Sequence, residues 1–234
     1  MSAIRLIGFL KNKKLRVILT VGFLAIGATS YSLSYANDEQ IDLNRQALAA
    51  ARSGNAKTFK EKILLGASVN TRNRLGDSLL ISAIKNGQLE NMQILIDRGA
   101  DINLANIAQV TPLMTAAFYG RPEMARILID QHADVNALDQ LQKTAMVYAA
   151  GTGQTDIVSL LLKTGPASGI AVNTRYPNGL TALMWAGGAG HLATVQMLLA
   201  QGADTSLVDN RGKTVLQMAA DNSHLDVVKL LSAP

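Results

Sequence analysis

Residues 111–120 read Thr-Pro-Leu-Met-Thr-Ala-Ala-Phe-Tyr-Gly, and variants of this segment return along the chain. The variants begin at Ser78, Thr144, Thr181 and Thr214, so the spacing is 33 residues except for one interval of 37. A second phrase, Gly-Ala-Asp-Ile-Asn at residues 99–103, keeps the same period, and its variants begin at residues 66, 132 and 202. Self-similarity at a fixed period of this length indicates repeated units that stack into one elongated domain.

Each repeat carries the signals for two short helices joined by a turn. The hydroxyl of Thr111 can accept a hydrogen bond from the free amides of a first turn, and Pro112 suits the first helical position. Gly120 can adopt the left-handed conformation that ends a helix. Apolar residues then follow at helical spacing and predict a second helix over about residues 122–131.

The period and both phrases resemble those of the ankyrin repeat. Its signature is Asp-x-x-Gly-x-Thr-Pro-Leu-His-x-Ala-Ala, then Gly-His, then Gly-Ala-Asp-Val-Asn. The resemblance covers about residues 41–234 and implies an all-α solenoid of helix-turn-helix units with β-turn or hairpin loops, in which stacking of neighbours supplies the stability. We expect an N-terminal cap at residues 41–72, repeats at 73–105, 106–138, 139–175 and 176–208, and a C-terminal cap repeat at 209–234. The histidine of Thr-Pro-Leu-His is missing from every copy, and its place is taken by Ile81, Met114, Val147, Met184 and Gln217.

The first 36 residues lie outside the repeats and have the pattern of a leader. They contain five basic residues and no acidic one, and their mostly apolar run over residues 17–28 is 12 residues long. This length is typical of a secretory signal and is short of the ~20 residues that span a bilayer. Residues 34–36 read Ser-Tyr-Ala, so we predict cleavage between Ala36 and Asn37. The alternative is an uncleaved signal anchor over residues 17–36.

The leader also explains the charge of the chain. The whole sequence has 22 basic and 17 acidic residues and a formal net charge of +5. Removing the five basic residues of the leader leaves 17 of them, so the predicted mature chain is neutral. The basic character therefore gives no reason to expect nucleic acid as a partner. An exported ankyrin-type chain points to the bacterial envelope, most simply the periplasm, or to the inner membrane facing the periplasm if the leader is retained.

The sequence lacks the residue patterns of an enzyme or a metal site. It has no cysteine, which excludes disulfides, thiol nucleophiles and cysteine metal ligands. His191 and His224 occupy the Gly-His position of the ankyrin signature, which implies a structural role. His132 stands where other copies have glycine, so we expect local strain or a partner contact there. The glycine-rich stretches at 151–153 and 187–190 lack the features of a phosphate loop and are interpreted as helix ends. We expect no catalysis, cofactor or metal.

The ankyrin resemblance implies a partner-binding surface on the concave side, built from loop tips and the exposed face of the first helices. Six aromatic residues follow the leader, and five of them lie in the third to fifth units, counting the cap as the first. Aromatic side chains are frequent anchors of interfaces. At Phe118, Tyr148 and Trp185 the alternative is packing in the seam between repeats, whereas Tyr119 and Tyr176 are expected to be exposed.

Basic residues lie at or near the predicted loop tips on the same side. They favour a partner with an acidic rim, or else they are ordinary solvated loop charges. The predicted partner-binding residues are Phe118, Tyr119, Lys143, Tyr148, Arg175, Tyr176, Trp185 and Arg211.

The sequence therefore predicts a non-catalytic, monomeric module that binds a protein partner, with no membrane contact once the leader is cleaved. Two finer roles stay open within this class: an inhibitor or immunity protein against a toxin, and an accessory protein of an envelope enzyme. A membrane-tethered scaffold that keeps its leader is the rival class.

Overall fold

The structure, a computed structural model, describes residues 28–165 and 168–233. In these residues it contains twelve α-helices in six consecutive pairs and one short 3-10 turn, Pro177–Gly179. The pairs are α1 (Ala28–Ser53) with α2 (Ala56–Leu64), α3 (Leu79–Lys85) with α4 (Leu89–Asp97), α5 (Pro112–Phe118) with α6 (Pro122–Asp130), α7 (Ala145–Gly151) with α8 (Thr155–Leu162), α9 (Ala182–Gly188) with α10 (Leu192–Ala200), and α11 (Val215–Asp221) with α12 (Leu225–Leu231). The two helices of each pair pack on each other. The predicted all-α solenoid is confirmed.

The recurring threonine or serine starts each first helix of units two to six. The Thr111 hydroxyl accepts a hydrogen bond from the backbone N–H of Met114 at 3.2 Å, which satisfies one of the free amides of the first turn. Ser78, Thr144, Thr181 and Thr214 make the equivalent bond. Pro112 occupies the first turn of α5, and Gly120 has a φ of 62° just after its end. The predicted roles of Thr111, Pro112 and Gly120 at the ends of this helix are therefore confirmed.

Stacking of the first helices makes one continuous core. Helices α1, α3, α5, α7, α9 and α11 each pack on the next one in this series. Alanines on their inner faces, such as Ala83, Ala116, Ala149 and Ala186, are completely buried. Small side chains let helix axes approach closely, and larger apolar side chains from the second helices, such as Leu95, Leu128 and Leu198, close the core behind them.

Gly187 shows how tight this stacking becomes between the last two units. It lies in α9, and a Cβ at this position would overlap Cγ2 of the buried Val215 in α11. The glycine at 187 is therefore required by packing between helices. This confirms the structural interpretation of the glycine-rich stretch at residues 187–190.

The loops between units are tied to one another by backbone hydrogen bonds at their tips. Ile107 N–H donates to the carbonyl of Leu75 at 3.4 Å, and Gln140 N–H donates to that of Ala108 at 3.1 Å. The next loop has Pro177 at the equivalent donor position, and proline has no N–H to give. This series of hydrogen bonds between loop tips is therefore interrupted between the third and fourth of these loops, where the repeat interval is 37 residues.

Helix α1 runs through the predicted cleavage site. Within the described residues it spans Ala28–Ser53, so Ala36 and Asn37 both lie within it. Cleavage between them would leave residues 37–53 as the first helix of the N-terminal cap. Residues 1–27, which hold the basic residues and most of the apolar run of the leader, lie outside the described residues. The described helices include none long and apolar enough to cross a membrane.

Candidate functional site: a groove on the first helices

A groove of about 620 Å³ runs along the first helices of units three to six. In units four to six its walls include two helix positions three residues apart on one face, together with a loop residue before the helix, and unit three contributes Phe118. The lining residues are Phe118, Lys143, Val147, Tyr148, Gly151, Thr152, Leu180, Met184, Trp185, Gly188, Ala189, Arg211, Lys213, Met218, Asp221 and Asn222. The groove lies where the ankyrin resemblance implied a binding surface.

Glycine at the ends of two neighbouring helices opens the middle of the groove. The last residues of α5, α7, α9 and α11 are Phe118, Gly151, Gly188 and Asp221, in that order. The fourth and fifth units therefore have glycine at the end of the first helix, whereas the units on either side of them have a larger residue there. A Cβ at Gly151 would lie 3.6 Å from Cε3 of Trp185, so the ring of Trp185 lies next to this glycine. Trp185 thereby forms part of the floor beside an open stretch of helix.

An aromatic cluster forms one wall of the groove. The ring of Phe118 meets that of Tyr148 edge to face at a centroid distance of 5.8 Å, and that of Tyr119 at 5.2 Å. Edge-to-face pairs of this kind are favourable because the positive ring edge points to the negative ring face. Phe118 is nevertheless 49% exposed and Tyr119 43% exposed. The cluster thus holds its shape while it leaves apolar surface free for a partner.

Lys143 lies between two aromatic rings of the groove. Its Nζ is 5.6 Å from the centre of the Tyr148 ring and 5.4 Å from that of Trp185. Both distances fall in the range of cation–π attraction. The Trp185 indole N–H is buried and has no hydrogen-bond acceptor among the described residues. The middle of the groove therefore presents an ammonium group held over two aromatic rings, while the indole N–H of Trp185 is enclosed below the surface.

Tyr148 is fixed by a buried carboxylate at the base of its loop. Its hydroxyl donates to Oδ2 of Asp139 at 2.5 Å, while Oδ1 accepts the backbone N–H groups of Leu141 and Lys143, each at 2.8 Å. Burial raises the pKa of the Tyr148 phenol, and the hydrogen bond to Asp139 and its charge raise it further. Tyr148 therefore stays neutral and acts as a rigid wall of the groove.

The structure brings five of the eight predicted partner-binding residues into the groove. Phe118, Lys143, Tyr148, Trp185 and Arg211 line it, and Tyr119 stacks on Phe118 at its edge. Arg175 does not line it, because its guanidinium Nη1 donates to the carbonyls of Val208 at 2.8 Å and Gly179 at 3.3 Å.

The predicted exposure of Tyr176 is wrong. This residue is partly buried against the core, and its hydroxyl is buried without a hydrogen-bond partner. Burial raises the pKa of its phenol to about 12. Tyr176 occupies the loop position where Asp139 and Asp209 accept backbone amides, so it belongs to the loop interior and not to the partner surface.

Ion pairs join the loop and the end of the first helix in the second and sixth units. Lys85 Nζ lies 2.7 Å from Oδ2 of Asp77, and Lys213 forms the equivalent pair with Asp221. Burial raises the pKa of Asp77, but hydrogen bonds from Lys85 and Asn106, with the charge of Lys85, outweigh this and hold the pKa below its usual value. At these two ends the chain satisfies its own charges.

Sequence reasoning missed two kinds of groove residue. Val147 and Met184 replace the signature histidine and line the groove although they are nearly buried. Nothing in the sequence singled out Asp139, yet its carboxylate orients Tyr148. The repeat itself could have found these residues, because aligning the units on their capping threonines shows which positions lie just before and just after each helix start.

The histidines at the starts of second helices are structural, as predicted. Nε2 of His191 lies 3.0 Å from the carbonyl oxygen of Gly151, and Nε2 of His224 lies 3.1 Å from that of Gly188. Each imidazole thus ties one unit to the end of a first helix in the preceding unit. His132 has the positive φ expected of it, at 62°. Across residues 28–165 and 168–233 no cluster of three or more potential ligand side chains could hold a metal ion.

Comparison with known proteins agrees with this architecture. The family model described as "Ankyrin repeats (3 copies)" matches residues 29–106, 47–139, 104–175 and 167–234. The chain is 39% identical over 61 residues to the "Ankyrin repeat and KH domain-containing protein mask-1" of Caenorhabditis elegans, and 36% identical over 62 residues to the "Ankyrin repeat and KH domain-containing protein CBG24701" of Caenorhabditis briggsae. Each match covers 26% of this chain and 2% of the relative. Because the family model matches most of its length, the chain belongs to the ankyrin repeat family.

Proposed function

We propose that this protein binds a protein partner through the groove of units three to six and performs no chemistry itself. The observation that carries the proposal is the exposed aromatic wall, Phe118 and Tyr119, beside an open floor at Gly151 and Gly188. Exposed aromatic side chains held in fixed geometry are the usual anchors of protein interfaces. Membership of a family of interaction modules supports the same role.

A capture experiment tests this function. The full chain with a C-terminal tag is used to bind proteins from extracts of the cells that make it, beside the double variant Phe118→Ala, Tyr119→Ala. Both side chains are partly exposed, so we expect the variant to keep its fold, which circular dichroism checks. A partner held by the natural chain should lose at least about 30-fold in affinity, since each anchor contributes about 2 kcal/mol or more.

A matched control removes exposed apolar surface elsewhere. Leu64 and Leu225 are 58% and 76% exposed and do not line the groove, so Leu64→Ala, Leu225→Ala should bind like the natural chain. Equal loss in both double variants would point to general apolar adhesion and contradict a specific groove. Full binding by the aromatic variant would contradict it as well.

We further propose that the protein is exported and acts in the periplasm, as its N-terminal sequence favours. The support is the leader: five basic residues, a 12-residue mostly apolar run and the Ser-Tyr-Ala sequence before Asn37. Cell fractionation followed by N-terminal sequencing tests this proposal. A soluble envelope fraction whose chain begins at Asn37 is the expected result. An intact N-terminus in the membrane fraction would select the tethered scaffold instead.

A further inference from the structure

Two equivalent positions flank the capping residue of each first helix, and in the second and sixth units their side chains form an ion pair. The partners are eight residues apart, one just before the cap and one at the end of the first helix. From the second unit to the sixth, the pairs are Asp77 with Lys85, Val110 with Phe118, Lys143 with Gly151, Leu180 with Gly188, and Lys213 with Asp221. The two end pairs are ion pairs, and one middle pair joins a lysine to a glycine.

Among the described residues, Lys143 is therefore a cation at one of these positions that has no carboxylate at the other. Lys213, its equivalent in the last unit, pairs with Asp221, and Arg211 is engaged by Asp209 at 2.9 Å. Within the described part of the chain Lys143 forms no ion pair, and Gly151 stands where its acidic partner would be. Aromatic rings attract an ammonium group, but less strongly than a carboxylate in hydrogen-bonding geometry does. The carboxylate of Asp139 in the same unit accepts from Tyr148 and from two backbone N–H groups, so the ammonium group of Lys143 is left without a carboxylate in direct contact.

The surroundings of Lys143 add a second requirement on what binds there. Phe118, Leu180 and Met184 supply apolar walls of the same groove. A matching ligand group carries an oxygen acceptor with negative charge and is followed by apolar side chains. The chain's own residues 1–27 do not fit, because they contain five basic residues and no acidic one.

We propose that the groove binds an acidic segment of a partner protein, with one Glu or Asp carboxylate of that segment placed against Lys143, above Gly151. The carboxylate takes the place that Asp221 occupies in the last unit, and neighbouring apolar side chains of the segment lie on the aromatic wall. This inference rests on the proposed function and names the kind of partner.

The test uses a variant that supplies the missing carboxylate from the chain itself. Gly151→Asp recreates the Lys213–Asp221 pair in the fourth unit, so it should occupy Lys143 and exclude an acidic ligand. The nearest atom to a Cβ at Gly151 is Cε3 of Trp185 at 3.6 Å, which is ordinary contact, so the helix tolerates the change. Gly151→Asn has the same shape without the charge and is the matched control.

A random peptide library displayed on phage provides the probe. Selection on the full natural chain should enrich peptides with Asp or Glu at one position next to apolar residues. These peptides should bind Gly151→Asn and fail on Gly151→Asp. Groove-dependent peptides without acidic enrichment, or acidic peptides that bind Gly151→Asp equally well, would overturn the inference while the proposed function stands. A selection that yields no groove-dependent peptide also overturns it, and the capture experiment then decides protein binding separately.

The single tryptophan of the chain reports on this site directly. Trp185 is the one tryptophan in the sequence, so its fluorescence follows binding of a selected peptide without a label. Replacing the acidic residue of that peptide by its amide should weaken binding about tenfold or more, since charged hydrogen bonds are the strong ones. Lys143→Met should abolish the difference between the two peptides, whereas Lys213→Met should preserve it. Equal affinity of the acid and amide peptides for the natural chain would refute the proposal.

Discussion

The first helices of the second and sixth units end in Lys85 and Asp221, which pair within their own units, whereas those of the fourth and fifth units end in glycine. The buried side of the helices hardly differs between these regions, because alanine and the capping residue recur in each. The exposed side differs completely. The solenoid therefore keeps one scaffold along its length and varies its exposed side, which in the middle leaves Lys143 without a carboxylate contact and an aromatic wall partly exposed.

The two neighbouring glycines of α9 provide the sharpest test of this division, with the largest expected effect. Gly187 faces the core, where a Cβ would overlap the stiff, buried Val215, so Gly187→Ala should lower the free energy of unfolding by about 1–3 kcal/mol. Gly188 faces the groove, and the nearest atom to its Cβ would be Cβ of Met218 at 3.8 Å. Gly188→Ala should therefore be neutral or stabilise by up to about 1 kcal/mol.

Urea unfolding of both variants beside the natural chain measures the difference. The two substitutions are the same chemical change one residue apart on one helix, so each is the control for the other. Equal destabilisation would show that the groove floor is as tightly packed as the core, and the separation of the two faces would then fail.

The lysines of the two regions should respond differently to loss of their charge. Lys85→Met leaves the carboxylate of Asp77, only 4% exposed in its side chain, without its cation, and should cost about 1–2 kcal/mol. Lys143→Met removes a cation that has no carboxylate partner, so it should change stability by less than about 0.5 kcal/mol. Thermal unfolding at neutral pH compares them. A larger loss at Lys143 would mean that the aromatic rings, and not a partner, satisfy its charge.

The pH dependence of the same pair follows from Asp77. Its pKa is lowered in the folded state, so its stabilisation is present above the ordinary carboxyl pKa of 3.8 and is lost as the pH falls through the lower folded value. The natural chain should lose this contribution on acidification. In Lys85→Met the contribution is already reduced, so its stability should fall less steeply at acidic pH. If the stability of the two proteins fell equally with pH, Asp77 would not be the group responsible.

Much of the fold could be predicted because one signal was repeated. Thr111 with Pro112 defines a helix start by itself, and the return of the same pattern at Thr144, Thr181 and Thr214 supports each assignment. The structural roles of His191 and His224 followed from the same register. A solenoid is favourable for this reasoning because most contacts join neighbouring units.

The exposed face was harder to predict because its residues depart from the repeat. Tyr176 looked like an exposed loop aromatic, but it fills the position where the other loops have Asn73, Asn106, Asp139 and Asp209, and its ring turns to the core. The isolation of Lys143 depends on what is absent at Gly151. An absent side chain leaves no mark on composition or on hydrophobic spacing, so only a comparison between units reveals it.

Two tyrosines of the middle units make the smallest and most specific comparison. Tyr148→Phe removes the hydrogen bond to Asp139 and should cost about 1 kcal/mol, because the carboxylate keeps its two backbone donors. Tyr176→Phe removes a buried hydroxyl that has no partner, so it should be neutral or stabilise by up to about 1 kcal/mol. Chemical unfolding of both variants gives the sign of each change. Opposite signs follow from the two contrasting environments, a phenol held in the groove wall by a carboxylate and a phenol packed without an acceptor in a loop. A destabilising Tyr176→Phe would mean that its hydroxyl has an acceptor in solution and would contradict the contrast between the two environments.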